Sequence, residues 1–123
     1  MPIVSFIITY YCEPLPLLAE CLRSVLQVRS LMMQRGMAKQ DFEIVVVDDG
    51  SQLSPLGMLK QMDEYICYIR QTNAGLSAAR NAGLARARAE YVQFVDADDA
   101  LLPYAYCSLC PQSCLLYTSP SPR

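Results

Sequence analysis

The stretch FEIVVVDDGS, residues 42–51, joins a run of apolar, mostly β-branched side chains to a turn-forming sequence. A continuous apolar run of this length is typical of a strand buried on both faces, whereas a strand with one wet face alternates apolar and polar residues. Strands buried on both faces occur in parallel sheets whose helical connections cover both sides. This stretch therefore predicts an α/β protein.

Similar apolar runs recur along the chain, separated by segments in which apolar residues have helical spacing. The pattern predicts strands at residues 3–9, 42–47, 65–69 and 91–95, and helices at residues 14–28, 54–64 and 76–89. The first helix is expected to continue past residue 28 and to end in a loop that contains a glycine. Strands that alternate with helices predict a mainly parallel sheet with flanking helices.

The composition excludes several classes of function. At 123 residues, with 53% hydrophobic and 18% charged residues, the chain is sized for one folded domain with a core. A net charge of −2 gives no support for binding to nucleic acid or to an anionic membrane. The absence of histidine excludes histidine-based catalysis and most nitrogen-ligated metal sites.

The sequence also bears on location and redox state. No apolar run approaches the roughly 20 residues that span a bilayer. The start, MPIVSFIITYY, lacks the basic residues and the cleavage site of a signal peptide. We therefore expect a cytoplasmic location, with membrane association of a longer parent protein left open. Cys12, Cys21 and Cys67 are scattered through the apolar body, which favours buried thiols over a disulfide scaffold.

The last segment differs in character from the rest. Residues 107–123, CSLCPQSCLLYTSPSPR, have neither strand nor helix periodicity, and their single Cys-x-x-Cys pair is a weak zinc signal. Residues 114–123 match, in order, the translation of a transposase adapter used in DNA library preparation. We therefore interpret residues 114–123 as adapter-derived, set residues 107–113 aside as a doubtful tail, and place a truncated domain at residues 3–106.

Polar clusters follow three of the predicted strands, at residues 9–11, 48–51 and 96–99. In an open parallel sheet, ligands bind at the carboxyl ends of the strands, where these clusters would meet. Each cluster alone has an ordinary explanation, since Asp-x-Asp and DDGS are common in solvated turns and helix caps. Gly75 and Gly83 could likewise be a turn and a tolerated helix break, although Gly83 costs about 1 kcal/mol relative to alanine and so favours a close-packing reason.

The segment YVQFVDADDA, residues 91–100, brings the three carboxylates of Asp96, Asp98 and Asp99 to the end of a strand. Neighbouring carboxylates repel each other, so a positive partner is expected. Mg²⁺ or Mn²⁺, held by one or two carboxylates and by substrate phosphates, would supply that charge. We expect Asp98 and Asp96 to hold the metal of a nucleotide diphosphate.

The other clusters suit the remaining parts of a nucleotide. Asp48 could accept an N–H from a flat base, with Tyr11 stacked against the same base. Arg80, one turn into the third predicted helix, could offset phosphate charge through its planar guanidinium group. Together these residues predict a site for a nucleotide diphosphate.

The segments VSFIITYYCE, FEIVVVDDGS and RQTNAGLSAARNAGLARARAEYVQFVDADD resemble, in order and spacing, the N-terminal half of family 2 glycosyltransferases. The resemblance covers residues 3–104, and the combination of VVVDDGS, N-x-G-x-x-x-A-R-N-x-G and F-V-D-A-D-D is highly specific. It implies the Rossmann-like GT-A nucleotide-binding fold. It also implies inverting transfer of a sugar from a nucleotide donor, such as a UDP-sugar, to a hydroxyl of a glycan, polysaccharide or lipid-linked acceptor.

The resemblance further implies roles for the residues that match its motifs. These are a base pocket of Thr9, Tyr11, Glu13 and Asp48, diphosphate contacts by Asn73, Gly75 and Arg80, a ribose contact by Asp96, and a metal ligand at Asp98. The metal, Mn²⁺ or Mg²⁺, would stabilise the departing diphosphate as a Lewis acid.

Two features depart from the family pattern. The family often has Pro-Thr-Tyr-Asn after the first strand, whereas the sequence here is Ile8-Thr9-Tyr10-Tyr11-Cys12. The proline and the asparagine are missing, so the base pocket is assigned only to within a residue or so. Inverting transfer also needs a general base for the acceptor hydroxyl. The family takes that carboxylate from its second half, so we assign no catalytic residue, Asp99 included.

A non-catalytic nucleotide-binding or interaction module is the alternative function. A dinucleotide-binding domain would carry Gly-x-Gly-x-x-Gly in the turn after its first strand. The corresponding turn, TYYCEP, contains no glycine. This argues against a nicotinamide cofactor but leaves a non-catalytic module open.

Overall fold

The computed structural model describes residues 2–52, 54–63 and 65–98, which form a parallel sheet between two layers of helices. The strands are β1 (Val4–Tyr10), β2 (Phe42–Asp48), β3 (Cys67–Arg70) and β4 (Tyr91–Asp96). The helices are α1 (Leu15–Gln34), α2 (Leu56–Met62) and α3 (Leu76–Arg86), with a short 3₁₀ turn at Lys39–Asp41 before β2. The α/β class with a mainly parallel sheet, predicted from the sequence, is confirmed.

The strands lie in the order β3-β2-β1-β4 and every pair is parallel. Val4 of β1 is in register with Phe42 on one side and with Tyr91 on the other. β3 pairs with β2 only from Val45 and Cys67 onward, so the first residues of β2 extend past the start of β3. The carboxyl ends of β1, β2 and β4 therefore meet at one edge of the sheet.

Alternation along the strands separates two hydrophobic clusters. Phe6 and Val46 belong to the cluster on the face covered by α1 and α2, where both are fully buried. Ile7, Val45 and Val47 point to the opposite face and pack with α3. Because β1 and β2 are buried on both faces, most of their residues are apolar, and their polar residues, such as Ser5 and Glu43, are buried too.

The helix α1 follows the spacing expected from its sequence. Leu18, Leu22 and Val25 recur on one side of it and are fully buried. It continues beyond residue 28, as predicted, and the chain leaves it at Gly36, whose φ of +105° is readily adopted by glycine.

Gly83 allows α3 to approach the sheet closely. A Cβ atom at this position would lie 2.4 Å from Cγ2 of Ile7 and 3.3 Å from Cγ2 of Val47. Such a distance is a steric overlap, so the glycine is required by packing although it lowers the intrinsic stability of the helix. The close-packing reason expected from the sequence is confirmed.

Some boundaries differ from the predictions. α3 ends at Arg86 instead of residue 89, because Ala87 is extended and the next residue, Arg88, is held by Glu43. Cys12 is exposed, whereas it was expected to be buried. No helix within the described ranges is both long and apolar enough to cross a membrane. The predictions for Asp99 and for residues 107–123 lie outside the described residues.

Candidate functional site

A cavity of about 350 Å³ opens at the carboxyl ends of β1, β2 and β4. This is the edge at which an open parallel sheet binds ligands. The structure brings most of the predicted site residues to it, namely Thr9, Tyr11, Glu13, Asn73, Gly75, Asp96 and Asp98. The cavity is also lined by Asp49 and Leu76, which were not predicted.

Asp48 is not one of the residues that line this cavity. It continues the face of β2 that carries Val46, and it is completely buried. Its carboxylate accepts hydrogen bonds from Ser51 Oγ at 2.7 Å, from Arg70 Nη1 at 3.0 Å and from the Tyr68 hydroxyl. Asp48 is therefore outside the lining of the cavity, and its carboxylate is held by contacts within the protein.

Asp49 lies on the cavity side of the same turn. Its Oδ1 accepts hydrogen bonds from Gln71 Nε2 at 2.8 Å and from the Ala74 N–H at 2.9 Å. Its Oδ2 accepts the Gly75 N–H at 3.0 Å and a longer contact from Asn73 Nδ2 at 3.4 Å. Burial raises the pKa of this carboxyl, but the three shorter hydrogen bonds outweigh burial and hold the pKa below its usual value. Asp49 is therefore ionised and anchors the loop before α3.

Gly50 makes the approach between this turn and the loop before α3 possible. Its φ is +82°, and a Cβ atom would lie 2.8 Å from the backbone nitrogen of Asn73. Both the backbone conformation and the close approach favour glycine. The DDGS turn thus holds the loop of Asn73 and Gly75 against the end of β2.

Thr9 and Asp96 form a pair across β1 and β4. They are in register in the sheet, and Thr9 Oγ1 donates to Asp96 Oδ1 at 3.0 Å. Arg80 Nη2 lies 3.5 Å from the same oxygen. Arg80 does not line the cavity as described, so it contacts the site through Asp96. Its guanidinium carbon lies 5.7 Å from the centre of the Phe94 ring.

Asp98 presents an exposed carboxylate to the cavity. Among the described residues it has no hydrogen bond or ion pair, and Oδ2 of Asp96 has no partner there either. No group of three or more acidic, cysteine or histidine side chains forms a complete metal site in the described part of the chain. Two carboxylates with open positions nevertheless fit Mg²⁺ or Mn²⁺, which takes its other ligands from phosphates and water.

Two exposed apolar side chains flank the polar part of the cavity. Tyr11 is 44% exposed and Leu76 is 47% exposed. The backbone N–H of Tyr11 donates to Glu13 Oε1 at 2.8 Å, which fixes the turn after β1. The hydrogen bond with Cys12 raises the pKa of the Tyr11 phenol, so its ring is neutral at physiological pH. A neutral aromatic ring at the mouth of a cavity can stack against a flat ligand.

The match to a family model agrees with this arrangement. The model described as "Glycosyl transferase family 2" matches residues 5–111. The chain belongs to glycosyl transferase family 2. The family suggested by the sequence is thereby confirmed.

Members of the family and solved structures resemble this family 2 chain. The glycosyltransferase GlyA of Streptococcus pneumoniae is 52% identical over 63 residues, which are 49% of this chain and 9% of that protein. The uncharacterized glycosyltransferase EpsJ of Bacillus subtilis is 36% identical over 103 residues, which are 80% of this chain and 27% of that protein. A crystal structure of S. aureus TarS 1-349 in complex with UDP-GlcNAc matches with a TM-score of 0.68 and 28% identity, covering 84% of this chain and 28% of that one.

The similarity covers only part of each of these proteins. This chain spans less than a third of GlyA, of EpsJ and of the TarS chain. The fold of the described residues is that of the GT-A glycosyltransferases.

Proposed function

We propose that this chain is the donor-binding part of a glycosyltransferase that transfers a sugar from a UDP-sugar to an acceptor hydroxyl with inversion. One observation carries the proposal: an exposed aromatic ring, Tyr11, and two strand-end carboxylates, Asp96 and Asp98, line a single cavity at the carboxyl edge of the sheet. The ring suits the base and the carboxylates suit a metal-bound diphosphate. The similar TarS structure holds UDP-GlcNAc, which supports a UDP-sugar as the donor.

The carboxylates would hold a divalent cation, Mn²⁺ or Mg²⁺. Asp98 would be the principal ligand, because its carboxylate is exposed and has no described partner. Asp96 would contribute its Oδ2, since Oδ1 is already held by Thr9 and Arg80. When bound, the cation would stabilise the negative charge that develops on the departing diphosphate. Arg80 would act through Asp96 by holding the orientation of that carboxylate and offsetting part of its charge.

The base would stack on Tyr11, with Thr9 and Glu13 shaping the turn on which that ring stands. We place the carboxylate that contacts the base at Asp49 instead of Asp48, because Asp49 lines the cavity and Asp48 is buried elsewhere. The 3.4 Å contact from Asn73 to Asp49 Oδ2 is the longest of its hydrogen bonds.

An N–H of the base would replace this weakest contact more readily than the backbone N–H groups bound to the same carboxylate. Asn73 Nδ2, which also donates to the backbone oxygen of Asp49 at 3.1 Å, would keep that hydrogen bond and stay beside the ribose or the diphosphate. Gly75 has φ of +98°, and its N–H is held by Asp49. Because it has no side chain, it would leave space in the cavity for the diphosphate.

The acceptor would be a hydroxyl of a glycan, polysaccharide or lipid-linked molecule. Its deprotonation needs a general base. None of the residues described at the cavity is assigned that role, because each carboxylate there is placed as a metal ligand, a base contact or a support of the turn. We therefore propose that the chain binds the donor and does not turn it over alone.

A titration with UDP, in the absence and presence of Mn²⁺, tests the proposal. Mn²⁺ should tighten UDP binding by about tenfold or more, since charge-assisted contacts contribute 1.5–3 kcal/mol each. Asp98→Asn should abolish this gain and leave metal-free UDP binding nearly unchanged. Glu20→Gln is the matched control, because it removes one exposed carboxylate from α1, outside the cavity.

Two results would contradict the proposal. A chain that binds no UDP with or without Mn²⁺ would refute the donor site. An Asp98→Asn variant that keeps the full Mn²⁺ effect would refute the role of Asp98 in holding the metal.

A further inference from the structure

A second cavity, of about 410 Å³, opens at the amino end of β2, opposite the carboxyl ends of the strands. It exists because β3 starts late: within the described ranges, residues 42–44 of β2 have no partner strand on the β3 side. The open segment is flanked by Lys39 of the 3₁₀ turn, by Arg29 of α1, by Arg86 at the end of α3 and by Arg88. β2 rises about 3.3 Å per residue, so this cavity lies about 20 Å from the one at the carboxyl edge.

The lining of this cavity is cationic. It is lined by four cationic side chains, those of Arg29, Lys39, Arg86 and Arg88. Among its described lining residues, the one acidic side chain is that of Glu43. A second carboxylate, Asp63, binds Arg29 at 2.6 Å and also faces Lys39. The four cations thus exceed these two carboxylates by two positive charges, although the whole chain has a net charge of −2.

Glu43 is fully engaged and does not block an anion. Its Oε1 accepts Ser5 Oγ at 2.7 Å and the Arg88 N–H at 2.8 Å, and its Oε2 accepts Arg88 Nε at 3.0 Å. Burial raises the pKa of Glu43, but these hydrogen bonds outweigh burial and lower it, so Glu43 is a fixed negative charge. Arg88 uses only Nε among its side-chain donors in the described contacts, and Arg86 lies farther off, at 3.6 Å.

Two of the cations that line the cavity keep a donor without a described acceptor. Arg29 Nε is buried and has no hydrogen-bond partner among the described residues. The Lys39 ammonium lies 4.6 Å from the centre of the Tyr65 ring, a contact that positions it without using an acceptor oxygen. The Lys39 ammonium is therefore open to an anion in the cavity.

We propose that this cavity binds a small soluble ligand through a phosphate group. A phosphate carries a charge of about −1.5 to −2 at neutral pH, which matches the surplus of two positive charges. Planar guanidinium groups bind phosphate oxygens in pairs, and an ammonium adds a point charge. The cavity lies between α1, the 3₁₀ turn and the end of α3, and a concave site suits a small solute better than a flat lipid surface. The site is separate from the proposed donor cavity and does not depend on the proposed sugar transfer.

Titration of the chain with inorganic phosphate, followed by calorimetry and by backbone amide shifts, tests this site. Phosphate should shift the amides of Glu43, Cys67 and Arg88. The double variant Lys39→Gln/Arg86→Gln should weaken binding by about tenfold or more. Both side chains are exposed, and Glu43 keeps its three short hydrogen bonds, so the variant should fold normally.

The double variant Arg23→Gln/Lys60→Gln removes the same net charge from exposed positions outside the cavity lining. It should bind phosphate as the unaltered chain does. Equal weakening in both double variants would reduce the effect to overall charge and overturn the proposal. Phosphate-induced amide shifts at Thr9, Asn73 and Asp96, with none at Glu43, Cys67 and Arg88, would assign the phosphate to the donor cavity and would also overturn the proposal. So would binding to phosphatidic-acid vesicles without binding to inorganic phosphate.

Discussion

The carboxylate of Asp49 accepts the backbone N–H of Gly75 at 3.0 Å, which ties the end of β2 to the first turn of α3. The neighbouring N–H of Ala74 is bound by the same carboxylate at 2.9 Å. These contacts make one aspartate responsible for the conformation of a loop whose residues line the donor cavity. The loop that lines the cavity is therefore held by contacts between residues far apart in the sequence, and a substitution at Asp49 alone would remove them.

We expect Asp49→Asn to destabilise the chain by about 1–3 kcal/mol, because the new amide leaves a backbone N–H facing a donor. UDP affinity should fall as well, since the loop of Asn73 and Gly75 loses its anchor. Urea denaturation and UDP titration measure the two effects. An Asn variant as stable as the unaltered chain would show that the loop is held by other contacts.

The stability supplied by Asp49 should depend on pH. Its pKa in the folded chain lies below the unfolded value of about 3.9. The contribution is therefore complete above about pH 5 and is lost as the pH falls through 4 toward the folded pKa. Urea unfolding between pH 7 and pH 3 should show a shallower loss of stability for Asp49→Asn than for the unaltered chain. Parallel curves for the two proteins would contradict this.

Gly83→Ala should destabilise the chain by about 1–3 kcal/mol, although alanine is the better helix former. The added Cβ would overlap Ile7 at 2.4 Å, and the helix would have to move away from the sheet. Gly57→Ala is the matched control, because it lies within α2 and its added Cβ would have no neighbour within 4 Å. The control should be neutral or stabilising by up to about 1 kcal/mol. Equal effects at the two sites would remove the packing argument.

Tyr68→Phe should cost about 1–2 kcal/mol of stability, because it removes a hydrogen bond to the buried carboxylate of Asp48. UDP affinity should change less than about twofold, since Asp48 is not at the donor cavity. Tyr65→Phe is the control, since the Tyr65 ring is 68% exposed. Thermal unfolding and UDP titration report on the two effects separately. A large loss of UDP affinity in Tyr68→Phe would restore Asp48 as a binding residue.

Glu43→Gln should reduce the loss in the free energy of unfolding that occurs as the pH falls from 7 to 3. The pKa of Glu43 is held below its ordinary value of 4.5, so its contribution is present above that value and disappears as the pH falls through the folded pKa. The variant should be less stable than the unaltered chain at pH 7 and should approach it near pH 3. Measuring the difference at both pH values checks the sign. A difference that grows on acidification would be incompatible with this assignment.

Much of the sheet could be predicted because strands that are largely buried consist mostly of apolar residues. The runs that became β1, β2 and β4 are mostly apolar, and their boundaries were found to within a residue or so. The end of α3 could not be predicted in this way. It is set by Arg88 and Glu43, which are 45 positions apart and meet only in the folded chain.

The same reasoning explains which of the predicted site residues could be placed together from the sequence and which could not. Strand ends in a parallel sheet converge, so Thr9, Asp96 and Asp98 could be placed together from topology alone. The choice between Asp48 and Asp49 required the direction of each side chain. A strand that is apolar on both faces does not reveal which of its residues face which layer, so the sequence alone could not decide between the two.

The position of β1 inside the sheet has a consequence for how the protein is made. β1 emerges first from the ribosome and can pair with β2 early, but its other neighbour, β4, ends only at residue 96. Until then, Ile7 and its neighbours in β1 present an apolar open edge, a feature that promotes misassembly in nascent chains. The pair of Thr9 and Asp96 closes with that last strand. A growing chain should therefore gain affinity for the proposed donor abruptly, once β4 has been made and has paired, and a ribosome-bound chain stalled before β4 should have none.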